Sequence, residues 1–477
     1  MIEVSENLKK LAQKVAECDE KLYVVGGYVR NSLLGFSVND LDIAGSLVSS
    51  KMAMLARRSG FKVSVVNKKL GTLLIEKNGE QYEYTTFRKE VYDETGKHKP
   101  DEVEFVGDPE TDCKRRDFTV NAIYYDIVKN EIYDFVNGQR DLKKKVLKTV
   151  VAPDVVFTDD GLRILRLIRF TCELGFKPSS ATYKAAKEFA HRVKDISKER
   201  VLNEIKVAIN GGLKYHLKND THGNVIKYYN NLNLWQYVLG PTFKDFKVKQ
   251  SGKMYNAYLK SDGSCRYIAF MCLVLFNYIK AKSSDKNISF SVNQVLGKDG
   301  LKDSNKDIKE VFDAYSFAQK LLFFKEEEYT SNKVCLQYEN LPFETKTYLS
   351  LINADKINKI KMQIMNMKKT KVPFNEAELR INATDLIEEL KIQREFISKI
   401  KSTLFEMCVE GMIINDKEIL KEQAKFLNEK LIGILAQERK QAYEYNRKKQ
   451  EFLKQQNVQP VTEQDVEIAE IDNADNE

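Results

Sequence analysis

The chain has 477 residues, 43% hydrophobic and 31% charged, so it is globular in composition and too long for one ordinary core; about three domains are expected. Its 77 Lys and Arg against 69 Asp and Glu leave a net charge of +8, which fits a protein with one face on nucleic acid without demanding it. No apolar run approaches the ~18 residues that span a bilayer, and seven Cys without a CxxC pair beside four His argue against a zinc site.

Residues 1–17 read as an amphipathic helix rather than a signal peptide, and a reduced cytoplasmic protein is expected. Residues 1–150 read as mixed α/β. Lys21–Val25 is a strand by its β-branched and aromatic content, Gly26-Gly27 breaks it, and Tyr28–Leu34 begins a helix. Asp40–Ala44 is a second strand and Met52–Ser59 a helix; Lys62–Val66, Gly71–Lys77 and Gln81–Phe87 are three more strands. Residues 88–105, polar and containing glycine, read as a mobile loop, and Thr119–Asp126 and Glu131–Phe135 as short strands. Beyond Asp159, apolar residues recur at three- and four-residue spacing, which predicts helices over most of 159–456, with an interruption at Leu239–Ser264. Lys356–Thr370 is basic: an RNA contact, or a solvated helix face with Met and Ile turned inward. Residues 461–477 carry acids and no Lys or Arg, the composition of a disordered tail.

The densest chemistry lies in VVGGYVRNSLLGFSVNDLDIA, residues 24–44. Asp40 and Asp42 stand two apart on a strand, so both side chains leave one face. Carboxylates that close call for a cation, and Mg²⁺ is the natural one, being oxygen-liganded and shared with substrate phosphates. A bare DxD is common. Here it follows a strand, a glycine pair and Arg30. Glycines let a triphosphate approach the backbone, the helix start supplies N–H donors, and Arg30 can reach a phosphate oxygen.

The stretch resembles the signature of polymerase-beta-like nucleotidyltransferases, in the branch of class II tRNA CCA-adding enzymes and bacterial poly(A) polymerases. The resemblance implies an α+β chain: a mixed-sheet head followed by a helical neck, body and tail. It also implies that Asp40 and Asp42 hold two Mg²⁺ ions and that Gly26, Gly27 and Arg30 contact the incoming nucleotide. The family has Asp after the Arg; here it is Asn31, which keeps shape and one acceptor but loses charge. Glu83, before Thr85-Thr86-Phe87-Arg88, matches a carboxylate that serves the family as a third acid near the metals; a solvated strand Glu is the plain alternative.

Two further blocks follow. CKRRDFTVNAIYYD, residues 113–126, offers cations for phosphate and a carboxylate for hydroxyls. It resembles the family's ribose-recognition block, which places Arg116 and Asp117 on the nucleotide, with Asn121 supporting the turn and Asp117 the best partner for a 2′-OH. FTDDGLRILRLIRFTCELGF, residues 157–176, sets Asp160 and Arg163 at i and i+3, so they share a helix face. An acceptor carboxylate beside a donor guanidinium can pair with the amino group and ring nitrogen of cytosine or adenine; a surface ion pair is the plain reading of the same spacing. The block resembles the family's base-recognition motif, with Asp159 where Glu is usual, and implies nucleotide contacts for Arg166 and Arg169. Each step of three turns a helix back by about 60°, which carries Arg169 round the helix.

Residues 88–105 resemble the flexible loop that changes specificity from CTP to ATP, 196–206 the neck motif, and 379–425 the tail of Gram-positive CCA-adding enzymes, with Ala383 where Gly is expected. The implied organisation is a head over 1–150, a neck with the base-recognition helix over 151–215, an RNA-contacting helical body over 216–374, a helical tail over 375–456 and a disordered acidic segment over 457–477. The implied substrates are tRNA, CTP and ATP, with no membrane and no stable protein partner. A poly(A) polymerase or a C-only or A-only relative shares the head motifs and stays open. A non-catalytic RNA-binding protein would not need Asp40, Asp42, Arg116, Asp117, Asp160 and Arg163 all in place.

Overall fold

The structure, a computed structural model, describes residues 2–36, 41–91, 100, 102–215, 221–282 and 287–455. Asp40, half of the 88–105 stretch and the acidic segment 457–477 lie outside the described residues. The chain divides into two compact units, Met1–Phe324 with Leu341–Ala354, and Lys325–Asn340 with Asp355–Glu477.

The first unit opens with α1 (Glu6–Ala16), capped by Ser5, whose side chain accepts from the Leu8 N–H. Leu8, Leu11, Ala12 and Val15 recur at helical spacing and are buried against the sheet core. The strands are β1 (Leu22–Val25), β2 (Leu41–Gly45), β3 (Lys62–Asn67), β4 (Thr72–Lys77), β5 (Glu80–Thr86), β6 (Arg88–Val91), β7 (Glu102–Phe105), β8 (Tyr124–Asp126) and β9 (Glu131–Tyr133). Seven of them form one mixed sheet in the order β3-β4-β5-β2-β1-β8-β9, in which β2 and β5 are parallel and the other neighbours antiparallel.

Two head elements differ from their sequence reading. Thr119–Asn121 is a 3₁₀ turn, and only Tyr124–Asp126 is a strand. The turn wins because the Asn121 side chain is held between Arg30 and Asp117 rather than standing off a sheet. Residues 88–105 are not all loop: β6 and β7 pair antiparallel, with Lys89 opposite Glu104.

Helices α2 (Gly27–Leu33), α3 (Ser49–Arg58), α4 (Pro109–Lys114) and α5 (Gly138–Lys144) complete the head; α6 (Pro153–Asp159), α7 (Leu162–Glu173), α8 (Ser180–Glu188) and α9 (Lys198–Lys214) follow. Further helices continue the first unit, including Lys253–Lys260 inside the interval read as an interruption. In the second unit Leu379, Ile381, Leu386, Phe396, Ile400 and Leu404 form a core with Leu420 and Ala424 of the helix Lys417–Gln455. The basic helix Ala354–Lys369 turns Ile357, Ile360, Ile364 and Met367 inward, while Met362 and Met365 stay exposed. Among the described residues no helix is long and apolar enough to cross a membrane.

Beyond α9 lies fully buried His222. Its Nε2–H donates to the Tyr258 carbonyl at 3.0 Å, and the Tyr258 hydroxyl donates back to the His222 carbonyl at 2.8 Å. Burial, helped by the nearby Arg266 charge, pushes its pKa down from 6.5 to about 4. Unfolded, the ring titrates near ~6.5. Between those values the unfolded chain binds a proton that the folded chain refuses, so stability falls as pH falls, by roughly 3 kcal/mol over the window. Urea unfolding of wild type and His222→Gln at pH 7.5 and 4.5 checks this. The wild type should lose more stability on acidification than the variant; equal losses would remove His222 from the account.

Candidate active site

The sheet register assembles the site. Val25 lies opposite Asp42, and Asp42 is in turn beside Glu83 on parallel β5. Strand alternation buries Ile43 in one core and leaves Asp42 on the opposite face, exposed at the strand's start. Asp42 and Glu83 are therefore neighbouring carboxylates on one face, and both line a cavity of about 650 Å³. Hard oxygen donors in that pairing suit a divalent cation. Asp40 falls outside the described residues, so the second carboxylate of the DxD pair stands as a sequence expectation.

Gly26 follows β1 with φ 70° and ψ −130°, a region open only to glycine. A side chain there would also approach Arg116 at 3.8 Å and Asp42 at 3.9 Å. From α2, the Arg30 guanidinium donates through Nε to the Asn31 Oδ1 at 2.9 Å, through Nη1 to the Asn121 Oδ1, and through Nη2 to the Tyr215 hydroxyl at 3.2 Å. Three of its five N–H groups are thus committed within the protein. It is held in place, and among the described residues two of its N–H donors have no hydrogen-bond partner.

The second cavity, about 840 Å³, is lined by Gly26, Gly27 and Asp42 of the sheet end of the head and by Asp160 and Arg163. Cations dominate its lining: Arg30, Arg116, Arg163, Arg166, Arg169 and Arg200 among them. Such a wall is built for a polyanion. Arg30, Arg166 and Arg169 each lie over the Phe170 ring, at 5.2, 5.5 and 4.7 Å, so one aromatic ring carries three guanidiniums.

Asp117 accepts the Phe118 N–H at 2.7 Å and the Asn121 amide at 3.1 Å on one oxygen. Arg166 binds the other through Nε at 2.8 Å and Nη2 at 2.6 Å. Burial would raise this carboxyl; Arg166 and the hydrogen bonds outweigh it and hold it at about 2. All four acceptor positions are filled, so contact with a ribose hydroxyl requires one of these donors to share.

The base-recognition pair departs from its expected geometry. Asp160 is extended, φ −145° and ψ 105°, between α6 and α7, so it does not share a helix face with Arg163. The break sits where the Gly161 backbone meets Arg192; an added Cβ would lie 2.6 Å from the Arg192 carbonyl oxygen. Asp160 instead caps the start of α7, accepting the Leu162 N–H at 3.0 Å, with Arg200 at 3.8 Å. Arg163 donates to the carbonyls of Val156 at 3.2 Å and Arg115 at 2.8 Å. The break still leaves both residues on the wall of one cavity. Arg169, turned round the helix by the periodicity argument, also lines it, paired with Glu204 at 3.2 Å.

Several organising residues went unread in the sequence. Asp112 of α4 is fully buried and accepts from the Arg88 N–H at 3.2 Å, Arg115 Nε at 2.8 Å, Arg116 Nη2 at 3.1 Å and the Tyr124 hydroxyl at 2.7 Å. Burial works against its charge, yet Arg115 and Arg116 outweigh burial and keep the carboxyl at about 2. Glu90 of β6 binds Arg88 at 2.7 Å and faces Arg115 at 3.6 Å. The spacing of Asp112 to Arg115 and Arg116, three and four residues on in a helix, was the one available signal.

A mixed sheet with carboxylates at a strand start, a glycine turn and an arginine-walled cavity lined also by α7 and α9 defines a nucleotidyltransferase head. Residues 22–148 match the poly(A) polymerase head domain family. Over 438 residues the chain is 31% identical to the CCA-adding enzyme of Ligilactobacillus salivarius, covering 88% of this chain and 96% of that protein. The Staphylococcus saprophyticus CCA-adding enzyme is 28% identical, with 88% and 98% covered. The chain belongs to the CCA-adding enzyme family. Its fold is similar to that of the Bacillus stearothermophilus CCA-adding enzyme solved with CTP, at TM-score 0.63 and 22% identity over 93% of this chain and all of that one. The Thermotoga maritima CCA-adding enzyme solved with tRNA gives TM-score 0.59 at 20% identity, over 89% and 96%.

Proposed function

We propose that this protein adds C, C and A to the 3′ end of tRNA, taking CTP twice and ATP once. The observation that carries the reading is that one arginine-walled cavity is lined by Asp42 and also by Asp160 and Arg163. A nucleoside triphosphate spans these residues. Arg30 and the Gly26-Gly27 turn take the phosphates, Arg116, Asp117 and Asn121 border the sugar, and Arg166 and Arg169 add positive charge over Phe170. Asp160 accepts from the base amino group and Arg163 donates to the ring nitrogen. Cytosine and adenine share that edge, and guanine and uracil present its reverse.

Mg²⁺ would be held by Asp42 with Glu83 beside it and by Asp40, two ions by the family resemblance, and when bound would clamp the attacking and leaving oxygens. The protein aligns the tRNA 3′-OH with the α-phosphate, and pyrophosphate leaves into the arginine wall. CCA-adding relatives aligned over nearly their whole length, and related folds solved with CTP and with tRNA, support the reading.

Arg163→Ala should lower the preference for CTP and ATP over GTP and UTP about ten- to a hundredfold, the worth of a bidentate base contact. Competition between labelled nucleotides for one acceptor RNA measures it. Unchanged selectivity would take Arg163 out of base recognition.

A further inference from the structure

Arg30 is held by a phenol that the reading above leaves without a role. Tyr215 closes α9 at the end of the neck, and its hydroxyl oxygen accepts from Arg30 Nη2 at 3.2 Å and from Asn31 Nδ2 at 3.0 Å. The Asn31 amide can face only one way. Its Oδ1 accepts from Arg30 Nε at 2.9 Å, so its nitrogen turns to the phenol. The Tyr215 ring is stacked on Phe36 with centroids 4.7 Å apart and planes at 20°, and the residue is 6% exposed.

A phenol oxygen in this position has two acceptor positions and one proton to give. Both acceptor positions are filled by Arg30 and Asn31. Among the described residues nothing accepts the proton, and the side chain lines the arginine-walled cavity. The donor therefore turns toward the cavity, beside the two Arg30 N–H groups that have no partner among the described residues. Donation by a guanidinium to the phenol oxygen polarises the O–H and makes it a stronger donor.

We propose that the Tyr215 hydroxyl is a phosphate-binding group, donating its proton to a triphosphate oxygen of the incoming nucleotide next to Arg30. The neck then touches the polyphosphate end of the substrate as well as the base. This rests on the reading of the cavity as a nucleoside triphosphate site.

Tyr215→Phe removes the hydroxyl and keeps the ring on Phe36. Calorimetric titration with CTP, inorganic tripolyphosphate and cytidine should show the first two weakened about tenfold, as for a lost hydrogen bond to a charged group, with cytidine unchanged. Replacing Tyr215 by 3-fluorotyrosine, a more acidic phenol of nearly the same shape, should tighten tripolyphosphate, and it keeps the test available should the phenylalanine variant not fold. Unchanged tripolyphosphate affinity in both variants overturns the assignment. So does equal weakening of CTP and cytidine, which would make Tyr215 a brace for the whole cavity. A wild-type protein that binds neither CTP nor tripolyphosphate would overturn the reading of the cavity, and this assignment with it.

Discussion

Asp42→Ala should abolish incorporation of both C and A, by about 10³-fold or more, while the protein stays folded. The size follows from the position. Asp42 is the described carboxylate common to both cavities, beside Glu83 on the sheet and 3.9 Å from where a Gly26 side chain would begin. A metal clamp on transferring oxygens is worth several kcal/mol, and each ~1.36 kcal/mol is tenfold in rate. The fold survives because the side chain is exposed on the strand and its removal opens no core. Single-turnover incorporation and a thermal unfolding curve on the same preparation check both halves. Near-wild-type turnover would remove Asp42 from the chemistry. An unfolded variant would show that the carboxylate supports the head, contrary to the exposure seen here.

Asp112→Ala should have the second largest effect and act on structure and substrate together. The carboxylate is the buried partner of both Arg115 and Arg116. Removing one side of a buried ion pair leaves charge uncompensated and costs about 3–5 kcal/mol. The loss should reach Arg163, the proposed base-reading residue, because the Arg115 carbonyl accepts from it. Urea unfolding and CTP titration should both register it, with Asp112→Asn between the variant and wild type. The same carboxyl gives a pH signature. Its folded pKa, about 2, lies below the unfolded value near ~3.9, so its stabilisation is full above the unfolded value and is lost as pH falls toward 2. Wild-type stability and CTP affinity in the alanine variant would show that Arg115 and Arg116 hold position without it.

What could be read from the sequence was what acts over short separations. The glycine pair, Arg30 and the DLD triplet lie within one strand-turn-helix-strand run, and residue type alone carries their chemistry. Asp160 and Arg163 were legible as a pair, but their geometry was not: the helix break depends on Gly161 meeting Arg192, a contact absent from local spacing. Tyr215 was invisible for the same reason, since its partners are 184 and 185 residues away. The β6–β7 hairpin was missed because its strands are charged and read as solvent-seeking; Lys89 opposite Glu104 shows charge pairing in place of apolar alternation. Thr119–Asp126 failed in the opposite direction. Its aromatic and β-branched run has strand propensity, but hydrogen bonds from Asn121 to Asp117 and from Arg30 to Asn121 hold its first part as a turn.

The central claim is that one cavity selects C and then A for a tRNA end. It is tested most directly by incubating the protein with Mg²⁺, labelled CTP and ATP, and tRNA that ends before CCA, then sequencing the 3′ ends. Two C residues followed by one A, and then no further addition, are expected. A run of A, a product stopped after C, or no incorporation at all would contradict it.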